Sequence, residues 1–135
     1  MTRWRSIGRG FARDTGGAAA VEFALVSVAF FAMLFGIMYM AVIVFTNASL
    51  QWAVSEASRL PEINPSVSQS EIANAINQKL STTGITNASV TYSVSQSGTT
   101  KTGTIAASFD KTYTVPMIDT FNIHYSAQTT VPLGG

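Results

Sequence analysis

Two residues at the mouth of a long uncharged stretch offer the first chemistry in this 135-residue chain. Gly17 and Glu22 stand five positions apart, directly before an apolar run that begins at Phe23, and Arg3, Arg5, Arg9 and Arg13 precede them. A carboxylate in the first turn of a helix is favoured by the dipole and the free amides there. Deep in lipid, or among packed helices, the same carboxylate is expensive unless a cation pairs with it. Glycine lets another backbone come close because it has no side chain. The chemistry on offer is recognition and ion pairing. Taken alone, Glu22 also reads as an ordinary interfacial charge at the head of a membrane anchor.

No catalytic set stands beside these residues. His124 falls on the polar face of an expected strand, with no cysteine or acid at a meaningful spacing, and reads as a solvent-exposed histidine. Asp110 and Asp119 flank an expected strand end and read as turn residues rather than an acid–base pair. Gly16-Gly17 is not a phosphate loop, because no Gly-Lys-Ser/Thr follows. With no cysteine and one histidine, the usual zinc, haem and iron–sulfur arrangements are excluded. The chain calls for no metal, no cofactor and no small-molecule substrate, and reads as a non-enzyme.

Charge narrows the partners further. Only 11% of residues are charged, about half the usual share, against an ordinary 47% hydrophobic content. Half of the eight basic residues lie within the first thirteen positions. Beyond residue 17, four basic residues face six acidic ones, a net charge of −2, so no basic patch for nucleic acid remains.

The element that must position Gly17 and Glu22 is the run Phe23 to Phe45, whose one strongly polar side chain is Ser27. Twenty-three helical residues span about 35 Å, enough for a hydrocarbon core of about 30 Å. A helix satisfies its own backbone in lipid, and no proline interrupts this one. Gly36 suits close helix approach in a membrane. Arginines before the run, and none after it until Arg59, place the N-terminus in the cytoplasm and residues 46–135 outside. A cleaved secretory signal normally has a shorter apolar region of about 7–15 residues.

The basic leader, the glycine and the carboxylate at the mouth of an apolar helix together resemble the class III prepilin signal. The wider stretch Gly17-Ala18-Ala19-Ala20-Val21-Glu22-Phe23 onward is similar to the start of TadE-like and TadF-like pseudopilins of the tight-adherence (Flp) pilus system. Ala57-Ser58-Arg59 near the end of a continued helix, followed by a small β-rich tail, extends the likeness over most of the chain. The resemblance implies that a prepilin peptidase cuts between Gly17 and Ala18, leaving Glu22 fifth and Phe23 sixth in the mature chain. It implies assembly roles for Glu22 and Phe23, with other pilin or pseudopilin subunits as partners. It also implies a bacterial inner-membrane protein with its C-terminal domain periplasmic or extracellular.

The rest of the chain reads as a small α+β head. Residues 46–60 extend the helix, with Leu50, Ala53, Val54, Ala57 and Leu60 on one face and Trp52 near the outer interface or against the head, until Pro61 and Pro65 end it. Ser68 and Glu71 form a capping-box pattern before a helix over 69–82, whose Ile72, Ile76 and Leu80 suit packing on the sheet. Three antiparallel strands follow: one around Val90 to Val94, one over 101–115 with a bulge expected near Ala106-Ala107, and one around Phe121 to Gln128. The expected organisation is a leader over 1–17, a transmembrane helix over 18–45, its extension over 46–60 and a head over 61–135. An uncleaved single-pass protein displaying a β-rich interaction domain is the alternative, and a secreted domain with a cleaved signal the third reading.

Overall fold

A computed structural model describes residues 15–116 and 119–133. The four leader arginines lie outside the described residues. Helix α1 runs Thr15–Ala57, followed by the single-turn α2 (Arg59–Ile63), α3 (Gln69–Ser81) and the strands β1 (Ser89–Ser97), β2 (Thr100–Val115) and β3 (Asp119–Leu133). The chain divides into two compact units, Met1–Met40 and Ala41–Gly135, and α1 contributes residues to both.

In the first unit no side chain of α1 is buried among the described residues. Val21, Leu25, Phe30, Phe31, Met33 and Ile37 are all exposed, and Phe23 is 75% exposed. A soluble helix this apolar would hide a face, whereas here the most apolar window is wholly unburied and long enough to cross a bilayer. Its one strongly polar side chain is satisfied internally: the Ser27 hydroxyl donates to the Phe23 carbonyl at 2.7 Å. These are the properties of a single-pass membrane segment.

In the second unit burial on α1 becomes one-sided. Leu50, Ala53, Val54 and Ala57 are buried while Gln51, Trp52 and Ser55 face outward. Trp52 is 54% exposed, so it is no core residue; the Lys79 ammonium sits 5.0 Å from its ring and ties α1 to α3. Pro61 acts differently from the expected stop. It lacks the N–H that the Ala57 carbonyl would accept, so α1 ends at Ala57 and Pro61 is buried inside α2.

Helix α3 forms as its sequence signals require. The Ser68 side chain accepts from the Glu71 N–H, and the Glu71 carboxylate accepts from the Ser68 N–H at 2.8 Å. These bonds hold the Glu71 carboxyl below its ordinary range. At the far end Gly84 has φ +74°, the Ile85 N–H reaches the Leu80 carbonyl and the Gly84 N–H reaches that of Ser81. That is a Schellman closure, with buried Ile85 as its apolar partner to Leu80. Ile72, Ile76 and Leu80 then point into the core, so α3 packs on its own sheet. Asn77 fixes the connection to β1 by accepting from the Ala88 N–H at 2.9 Å and donating to the Ala88 carbonyl.

The sheet is an antiparallel meander in the order β1-β2-β3. Its register is unbroken from Ser89↔Ser108 to Ser97↔Thr100 and from Lys101↔Leu133 to Val115↔Asp119. The bulge expected near Ala106-Ala107 is therefore absent. Ala106 faces outward between Thr91 and Gln128, so the disturbance is a small apolar side chain on the solvated face rather than an extra residue. Gly98 opens the first hairpin with φ +62°, the glycine-first pattern of a two-residue type II′ turn. Inward-facing Val90, Ile105, Ala107, Phe109, Tyr113, Tyr125, Val131 and Leu133 complete the core. The chain is thus α+β: a long N-terminal helix, a short helix and a small three-stranded sheet.

Candidate functional site

Helix α1 carries the whole candidate site in its first three turns. It begins at Thr15, so Gly17 and Ala18 both lie in the first turn of the uncut chain, exposed. Around the position a Gly17 Cβ would occupy there is nothing within 4 Å, and its φ is not positive. Glu22 is the eighth helical residue, two turns in, and α1 has no acidic residue in its first turn. Among the described residues Glu22 has no ion-pair partner, and its neighbour Phe23 is exposed. Ala18 and Glu22 are four residues apart and share a helix face, while Gly17 is turned about 140° from Glu22.

Where α1 emerges from the apolar run it is fixed by a buried relay of hydroxyls. Thr46 donates to the Val42 carbonyl at 2.8 Å, so its oxygen is left to accept from the Tyr113 hydroxyl at 3.3 Å. Tyr113 in turn accepts from Tyr125 at 2.8 Å. Burial first, then the Tyr113 hydrogen bond, pushes the Tyr125 hydroxyl well above its ordinary range. Phe109 stacks on Tyr125 at 5.1 Å, and Phe121 on Tyr113 at 5.7 Å. The sequence showed Thr46 only as the first polar residue after the run; nothing in its spacing pointed to a tyrosine 67 residues away.

The residues set aside as non-catalytic are arranged more closely than expected. Asp110 lies within β2 rather than in a turn, directly across from His124, and the two side chains meet at 2.9 Å. Both are largely exposed, at 60% and 73% of their side chains, so neither is desolvated as a tuned acid–base site requires. This is a cross-strand link on a solvated face, and its worth is small. The hairpin register makes the pair readable, since 110 and 124 each lie five positions along their strands from the Val115↔Asp119 pair. Asp119 does act as a turn-end residue, its carboxylate accepting from the Thr120 N–H at 2.7 Å.

Residues 17–59 match the family described as TadE-like protein. The match opens at Gly17, covers the apolar run and the buried face of α1, and closes on Arg59. No curated protein and no solved structure matches the chain significantly.

Proposed function

We propose that this chain, TadE-like over residues 17–59, is a pseudopilin or minor pilin of a Flp-type pilus system. It is a non-enzymatic subunit, inserted through α1 and cut after Gly17 by a prepilin peptidase. Its N-terminus lies in the cytoplasm and its head outside the inner membrane.

The observation that carries this reading is Gly17, around whose missing Cβ no described residue lies within 4 Å. Alanine would fit at position 17 without contact and would favour the helix by about 1 kcal/mol. A glycine with no neighbour among the described residues supports a user outside the chain, such as a peptidase site that admits backbone without a side chain. The family match that opens at this residue supports the same reading. Cleavage there would release an amino group on Ala18, one turn below Glu22 on the same helix face. Glu22 would then pair with that amino group, on its own or a neighbouring subunit, and set the axial register of assembly. Phe23, exposed beside it, would pack against the neighbouring helix.

Intact mass and N-terminal sequencing, in cells with and without a prepilin peptidase, test this. The expected product begins at Ala18 and has 118 residues, the 135 of the chain less the first 17. An uncut chain would instead support the single-pass display protein, and a cut after residue 45 a secreted domain.

A further inference from the structure

We propose that the heads of this chain join edge to edge, the free edge of β1 pairing in parallel with the β3 edge of a second copy. The contact lies wholly within the second unit and does not depend on cleavage at Gly17, but its direction rests on α1 being a membrane span. Strand β1 has nine residues and no charge, proline or break in its ladder, the devices that shield an edge. Its backbone groups alternate in direction. The Ser95 carbonyl faces β2, where it accepts from the Thr102 hydroxyl at 3.4 Å, whereas the Val90 carbonyl faces outward and accepts from Gln69 at 3.1 Å. Even-numbered residues therefore point away from the sheet. Beyond the Gln69 bond, the outward groups of Tyr92, Val94 and Gln96 meet no backbone partner among the described residues. Val94 is 53% exposed, and its neighbour on β2 is Gly103, which offers no side chain to cover it.

The β3 edge offers the matching surface. The same alternation, carried through Val94↔Gly103 and Gly103↔Val131, turns the backbone groups of Ser126 and Gln128 outward. They open onto a recess of about 350 Å³, lined by Ser126 to Thr129 on one side and by Gln51, Val54 and Ser55 of α1 on the other. Residues of both sheet faces line it, so it lies along the edge itself. Four residues of strand run past it, about 13 Å. Neither the recess nor β1 carries a charge that pairing would strip of water.

Strand direction selects the partner. Strands β1 and β3 both run antiparallel to β2, so a second copy facing the same way presents them to each other in parallel. In a parallel pair, a residue whose backbone points at its neighbour sits opposite one whose backbone points away. Even residues of β1 then stand opposite odd residues of β3, and both sets carry core-face side chains. An antiparallel β1–β1 pair would send the two α1 helices in opposite directions, which a shared membrane forbids. Proline sets the register. Were the heads level, Val94 would face Val131, and its carbonyl would need the N–H that Pro132 lacks. Stepped by four residues, Val94 faces Ala127, the smallest core-face side chain of the recess, and reaches the Ser126 carbonyl and the Gln128 N–H. Each copy uses two different surfaces, so an array keeps a free β1 at one end and a free β3 at the other.

The absence of cysteine makes the test direct. In this register Ser93 and Ser126, both exposed, stand opposite each other, and strands about 4.8 Å apart are within disulfide reach. Full chains carrying Ser93→Cys or Ser126→Cys, with tags of different mass, are mixed in detergent and oxidised with copper phenanthroline. The expected product is a cross-linked pair holding one chain of each kind, in excess over pairs of like chains. Val94→Pro, added to the Ser93→Cys chain, removes an outward N–H that its own sheet does not use. It should cut the cross-link about five-fold, the worth of one net hydrogen bond, with near-ultraviolet circular dichroism checking the head fold. Like pairs as abundant as unlike ones, a strong pair from Ser93→Cys alone, or a cross-link indifferent to Val94→Pro would overturn the contact. The full chain in detergent needs neither cleavage nor a bilayer, so failure here leaves the readings of Gly17 and α1 standing.

Discussion

Removing the hydroxyl of Tyr113 should cost the head more than removing that of Tyr125, although both side chains are buried and differ from phenylalanine by one atom. Tyr113 occupies the middle of the relay. Tyr113→Phe deletes the bonds to both Thr46 and Tyr125, and it leaves Thr46 as the remaining partner of the Tyr125 hydroxyl. A net hydrogen bond is worth about 1 kcal/mol, so the expected loss from the two bonds is about 2 kcal/mol. Tyr125→Phe removes one bond and leaves Tyr113 still donating to Thr46, for a loss of about 1 kcal/mol. Urea unfolding of the full chain in detergent, followed by tyrosine near-ultraviolet circular dichroism, reads the head transition while α1 stays in the micelle. Equal losses, or a larger one for Tyr125→Phe, would refute the directed relay. The same network sets an alkaline limit. Because the folded Tyr125 hydroxyl binds its proton more tightly than the unfolded one, its contribution is complete below pH 10.0 and is lost as pH rises above it.

Glu22→Ala should leave insertion and the new terminus at Ala18 intact but reduce assembled pilus in shear fractions; normal assembly would dismiss the pairing role. Gly103→Ala would place a methyl 2.9 Å from the Tyr92 ring and 3.3 Å from Leu133, so a loss of about 1–3 kcal/mol is expected. Adding Tyr92→Leu should recover part of that loss in the same urea transition. Ser68→Ala removes the cap of α3 and should lower head stability by about 1 kcal/mol. Acid should weaken the same cap: the Glu71 carboxyl is held below 4.5, so its contribution is present above that value and fades as pH falls beneath it, measurable as a cap-dependent loss of helical signal.

Where one local rule decided the structure, the residues were readable in advance. The uncharged run from Phe23 to Phe45, the Ser68–Glu71 box and the alternation around Tyr125 all work through neighbours within a few positions. The Thr46–Tyr113 contact was not readable, because it depends on how a helix meets a strand 67 residues away. Asp110 was misplaced for a related reason. Its link to His124 exists only in the β2–β3 register, which shows when positions are counted from the turn rather than read along the strand. Pro61 was read as a stop, although a proline breaks the bond to the carbonyl four residues before it. Ala106 disturbed the pattern without disturbing the backbone, since alternation of side chains and continuity of a ladder are separate matters.

The meander has a consequence for export. Each strand pairs only with the strand next to it in sequence, so no strand must wait for a distant strand. A chain threaded outward from its membrane end delivers the helical face of Leu50 and Val54 first, then α3, then β1, β2 and β3 in turn. Strands β2 and β3 each find their template strand already outside. Such a head can be built in the order it is delivered, with Leu133 as the last residue to join the ladder.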